Sequence, residues 1–95
     1  MQISVKRSGG YAGVTEEVGS LETSRPSAAA QEAEQLVRSI GFFDLTPQPA
    51  VGADMFRYEI TVRDGDRQHT VEFADDGSPQ NEPLLRLVGL VGNAA

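Results

Sequence analysis

The sequence predicts an α+β fold: a two-layer β-β-α-β-β-α arrangement in which a four-stranded, largely antiparallel sheet carries helices on one face. Three observations predict it. Residues 56–75 alternate apolar and polar side chains on either side of Asp64-Gly65, the mark of a β-hairpin. Two stretches, 24–41 and 81–92, carry apolar side chains at helical spacing. A short alternating run opens the chain and stops at a glycine-rich segment.

Ile3 and Val5 face one way and Ser4 and Lys6 the other, which predicts a half-buried first strand. Residues 14–23 predict a second. Val14 and Val18 share one parity and Leu21 has the other, so a bulge or kink is expected near Gly19. In 24–41, Pro26 suits a first helical turn, with Ser24 or Arg25 just outside it. Ala29, Ala33, Leu36 and Ile40 form one apolar stripe, and Gly41 stands where a left-handed cap belongs. Phe42 to Leu45 then supply apolar anchors that plug the sheet–helix core. Residues 46–54, with two prolines and a glycine, read as a connecting loop rather than a domain linker.

In the hairpin, placing Asp64-Gly65 in the loop pairs Arg63 with Asp66, Ile60 with His69, Tyr58 with Val71 and Phe56 with Phe73. On the opposite face Glu59 meets Thr70 and Arg57 meets Glu72. Moving the loop to Gly65-Asp66 sets Glu59 against Glu72 and leaves Phe56 facing Asp75. Cross-strand pairs contribute about 0.2–1 kcal/mol each, so the first register is expected. The tail predicts a second helix, with Asn81 as N-cap, Glu82 and Pro83 in the first turn, and a stripe of Leu84, Leu87, Val88 and Val91. Gly92 is its expected end. Strand order is not set by these patterns.

The 95 residues suit one domain, expected to span 1–95. Cysteine is absent, which excludes disulfides, thiolate zinc sites and cysteine nucleophiles. The net charge of −6 and the single lysine argue against a nucleic-acid partner, which needs clustered cations. No apolar run is long enough to cross a membrane, and the N-terminus lacks the pattern of a Sec signal, so a cytoplasmic protein with no membrane partner is expected.

Little in the chain promises catalysis. His69, the only histidine, falls mid-strand on the apolar side of the hairpin, where a packed role outweighs a catalytic one. Asp75 and Asp76, before Gly77 and Ser78, lack the spacing of a calcium loop and read as a solvated turn. Glu16 and Glu17 are adjacent on a strand, so their side chains point apart, which works against an acid–base pair. "SGGYAG", residues 8–13, is no phosphate loop, because a strand with two glutamates follows it instead of a helix. Its glycines permit close backbone approach, and Tyr11 is of a type enriched in contact surfaces. Either a plain turn or a binding loop answers to that composition.

"ISVKRSGGYAGV", the helix ending in "GFFDL", "DMFRYEITVRDGDRQHTVEF" and "EPLLRLVGLV" together resemble the emfourin family, in order and over nearly the whole chain. Emfourins are small inhibitors of thermolysin-like zinc metallopeptidases such as protealysin. The resemblance implies a non-enzyme that needs no cofactor and covers the peptidase active-site cleft. The expected contacts are Ser8, Gly9, Gly10, Tyr11, Ala12 and Gly13. Glu16 and Glu17 come second, as carboxylates able to approach a zinc or a cleft arginine. The free protein is expected to be a monomer. The alternative is a non-inhibitory interaction domain that binds another protein through the glycine-rich loop or a sheet edge.

Overall fold

In a computed structural model, residues 1–9, 14–25, 27–46, 56–75 and 77–94 are described. Strand β1 (Gln2–Gly9) and β2 (Val14–Glu22) form one antiparallel hairpin, and β3 (Arg57–Asp64) and β4 (Arg67–Ala74) form another. Between them lie helix α1 (Ala28–Ser39) and a 3₁₀ turn, Phe42–Asp44. A second 3₁₀ turn, Pro79–Asn81, runs into helix α2 (Glu82–Ala94). The element order is the expected one. β1 also pairs antiparallel with β3, so the sheet order is β2-β1-β3-β4 and the two hairpins meet at its centre.

Alternation sorts the side chains. Ile3, Val5, Ile60, Val62, Val71 and Phe73 are buried beneath the helices. The stripe Leu84, Leu87, Val88 and Val91 of α2 closes over them, as its spacing predicts. A fully buried side chain of this size contributes about 1.5–3 kcal/mol. The opposite face of the sheet is polar. One row across it runs Ser20, Ser4, Thr61, Thr70, and the last two hydroxyls are bonded at 2.9 Å. β1 and β2 slip register between Val5 and Lys6: Val5 faces Gly19, and Lys6 faces Glu17. Val18 is therefore the extra residue of a bulge, beside Gly19 as expected. There α2 comes close, and a Cβ added at Gly92 would stand 3.3 Å from Val18 Cγ1.

Several expectations are corrected. Helix α1 starts later than expected, because Ser27 is its N-cap: extended in backbone, it accepts the Ala30 N–H on its hydroxyl at 3.0 Å. Pro26 lies outside the described residues. The buried stripe of α1 is Ala30, Ala33 and Val37, with Leu36 and Ile40 only half-buried, since the helix packs against α2 as well as the sheet. Gly41 does hold the left-handed conformation, at φ +64°. Phe42 is core, whereas Phe43 is half-buried at the rim, with the Arg67 guanidinium 4.3 Å from its ring centroid. Asn81 is fully buried, and its amide donates to the Ala74 carbonyl at 3.1 Å, fastening the turn before α2 to the end of β4. α2 continues past Gly92 to Ala94.

The hairpin register differs from the expected one by two positions. Asp64 faces Arg67, Ile60 faces Val71 and Glu59 faces Glu72, so Gly65-Asp66 is the loop. Gly65 has φ +62°, and no non-glycine among the described residues has positive φ. That is the type II′ pattern, whose first central residue is glycine. A type I′ turn at Asp64-Gly65 would demand positive φ at Asp64 as well. Both registers keep the same residues on the core face, because they differ by two positions in the partner strand, so burial does not choose between them. A cation stands near each of the two like charges. Lys6 of β1 lies opposite Glu59, and the Arg57 guanidinium reaches diagonally to Glu72 at 3.3 Å. Phe73 stacks on Tyr58 instead of Phe56, centroids 5.5 Å apart.

Candidate functional site

The first-ranked contact residues begin where β1 ends. Ser8 faces Thr15 on β2 and Arg57 on β3, and Gly9 faces Val14. Gly9 has φ +130°, a conformation that side chains disfavour, so the chain leaves the strand through a position suited to glycine. Gly10, Tyr11, Ala12 and Gly13 lie outside the described residues. The stem of the loop is thus hydrogen-bonded into the middle of a four-stranded sheet on one side and an edge strand on the other. A loop anchored in this way has a fixed base, which lowers the ordering cost of any contact it makes.

Glu16 and Glu17 take opposite faces, as their adjacency predicts. Glu16 lies opposite Arg7 and receives its guanidinium at 2.7 Å. Glu17 lies opposite Lys6 on the polar face, in one row with Glu59 and Glu72. The Arg7 guanidinium is pushed further toward its charged form by its hydrogen bond to Glu16, against some desolvation. The two carboxylates therefore do not form an acid–base pair. Glu16 is already engaged by a cation, and it sits two residues, about 7 Å, from the hairpin mouth.

Two residues that the sequence reading did not single out join this end. Phe56 lies beyond the core pairs, opposite Asp75, whose N–H donates to the Phe56 carbonyl at 2.9 Å. It is 48 % exposed, the one large hydrophobic side chain so exposed among the described residues. The Arg7 guanidinium sits 4.9 Å from its ring centroid. Arg7 therefore ties the β1–β2 stem to the start of β3 through one carboxylate and one ring. The register explains the omission: the expected pairing with Phe73 would have buried Phe56, and the shift by two positions puts it at the surface. The glycine at the first position of a II′ turn was the signal that could have located it.

Elsewhere the candidate chemistry resolves into packing. His69 is half-buried, edge-on to Phe42 at 5.7 Å, with Nε2 2.6 Å from the Leu45 carbonyl oxygen. A backbone partner fixes its ring but gives it no nucleophile or carboxylate. Asp75 is exposed, and Asp76 lies outside the described residues. Among the described residues no three His, Asp or Glu side chains gather as metal ligands. A cavity of about 320 Å³, lined in part by Met1, Val37, Phe42, Phe43 and Arg67, lies at the end of the sheet away from the glycine-rich loop. Its arginines are taken up by neighbours, Arg38 by Glu34 and Arg67 by Asp64. No helix among the described residues is long and apolar enough to cross a membrane.

A family model described as Emfourin matches residues 5–89, nearly the whole chain, and the chain belongs to that family. No curated protein and no solved structure matches it. Membership suggests the role of a protease inhibitor rather than an enzyme.

Proposed function

We propose that this emfourin inhibits thermolysin-like zinc metallopeptidases by seating the mouth of the β1–β2 hairpin in the active-site cleft and blocking substrate entry. The observation that carries this reading is the construction of one end of the sheet. The glycine-rich loop leaves it through Gly9, and the exposed Phe56 ring stands beside the loop stem under Arg7. Ser8 to Gly13 form the primary contact, with Tyr11 as its aromatic anchor. Phe56 extends the apolar part of that surface, and an apolar centre with a polar rim is what a stable protein contact requires.

Steric blockage needs no metal ligand from the inhibitor. Glu16, held by Arg7, and Glu17, beside Lys6, flank the mouth and meet polar or cationic groups at the cleft rim. The protein acts in the cytoplasm as a binding protein without a cofactor, and protealysin-type enzymes are its targets.

The test is a titration of the purified protein into a thermolysin-like peptidase cleaving a short fluorogenic peptide. Activity is expected to fall, and added substrate is expected to restore it, because the two compete for one cleft. Undiminished activity in several such enzymes overturns the reading and leaves an interaction domain without inhibitory action.

A further inference from the structure

The two edges of the sheet are built differently. Along β2 a bulge at Val18 breaks the ladder, and Glu16, Glu17 and Glu22 line the strand, devices that keep a foreign strand away. β4 is regular from Arg67 to Ala74 and has no bulge, proline or lysine. Its hydrogen-bonding phase is set by the bond from Asp75 N–H to the Phe56 carbonyl. Antiparallel pairs alternate, so Phe73, Val71 and His69 bond to β3, while Gln68, Thr70, Glu72 and Ala74 turn their N–H and C=O groups outward. The Asn81 amide on the Ala74 carbonyl agrees with that phase and closes this end of the edge. The outward backbone groups of Gln68, Thr70 and Glu72 have no partner among the described residues.

We propose that β4 pairs antiparallel with β4 of a second copy of this chain, about a twofold axis at Thr70, joining two four-stranded sheets into one. The fit argues for this occupant. Centring the axis on Thr70 pairs Thr70 with itself and Gln68 with Glu72 of the second copy. That register uses the three unpartnered residues and no others, for about six backbone hydrogen bonds. Centring it on His69 would set Asp66 against Glu72. Centring it on Val71 would need Ala74, whose carbonyl Asn81 already holds. In the Thr70 register the Gln68 amide donates to the opposing Glu72 carboxylate. The row Ser20, Ser4, Thr61, Thr70 also continues unbroken into its symmetry mate. The net charge of −6 on each copy opposes association, so the dimer is weak and strengthens with salt. This departs from the monomer expected of the free chain, and it stands whether or not the peptidase reading holds.

Sedimentation velocity of the whole protein from roughly micromolar to millimolar concentration tests it. The mass is expected to rise from 10.2 kDa toward twice that value. Gln68→Lys, which meets Glu72 twice per dimer, is expected to lower the dissociation constant about five-fold, and Gln68→Glu to raise it about five-fold. Gln31→Lys and Gln31→Glu make the same changes of net charge on an exposed face of α1, and are expected to move it far less. A mass that stays at 10.2 kDa at every concentration overturns the proposal. So does a dimer that answers to position 31 as strongly as to position 68, because its interface then lies elsewhere.

Discussion

Glu59 lies directly opposite Glu72 across the β3–β4 hairpin, two like charges in one cross-strand pair. Lys6 stands opposite Glu59 on β1, and Arg57 reaches Glu72 from two residues along β3. Removing Lys6 should therefore expose the repulsion. Lys6→Gln is expected to destabilise the fold by about 0.5 kcal/mol, and Glu59→Gln to recover most of that in the Lys6→Gln background. Urea unfolding of the two single variants and the double variant measures the coupling. Additive effects would show that Lys6 does not act on Glu59.

Tyr11→Ala and Phe56→Ala should each weaken peptidase inhibition about ten-fold or more, in line with loss of an aromatic anchor from an interface. Phe56 is half exposed, so its removal is expected to leave the melting temperature within a few degrees of the parent. An inhibition constant unchanged by Phe56→Ala removes that ring from the contact surface, whatever Tyr11 does.

The glycines divide by backbone angle. Gly41→Ala forces an alanine into φ +64° after α1, where its Cβ meets nothing within 4 Å, so the cost is conformational alone, about 1 kcal/mol. Gly89 also has open space around it but lies within α2, at ordinary helical φ. Gly89→Ala is expected to stabilise by about 0.8 kcal/mol. A domain of this size shifts about 4–8 °C per kcal/mol, so calorimetry should show melting temperatures moving in opposite directions.

Asn81→Ala should cost about 2 kcal/mol, because it strands the Ala74 carbonyl at a buried site. Asn81→Ser, which keeps a donor on a shorter arm, is expected to recover only part of that. A loss no larger than that of a surface substitution, read by guanidinium unfolding, would show that water replaces the amide.

The elements and their faces are legible in the order of residues alone. The spacing of Leu84, Leu87, Val88 and Val91, the alternation of Ile3 and Val5, the kink beside Gly19 and the left-handed Gly41 all follow from neighbours within one turn or one strand. The order of residues also set Glu16 and Glu17 on opposite faces. The strand order, the hairpin register and hence the exposure of Phe56 are set by the assembled sheet. Within residues 56–75 alone the Glu59–Glu72 contact is unfavourable, and Lys6, more than fifty residues away in the chain, comes opposite Glu59 only when β1 docks beside β3. The same holds for Arg7, whose partners Glu16 and Phe56 meet only after two hairpins share a sheet. Local side-chain patterns act over a few residues. Register and exposure depend on which strand lies next door, and chain entropy leaves that choice to the assembled core.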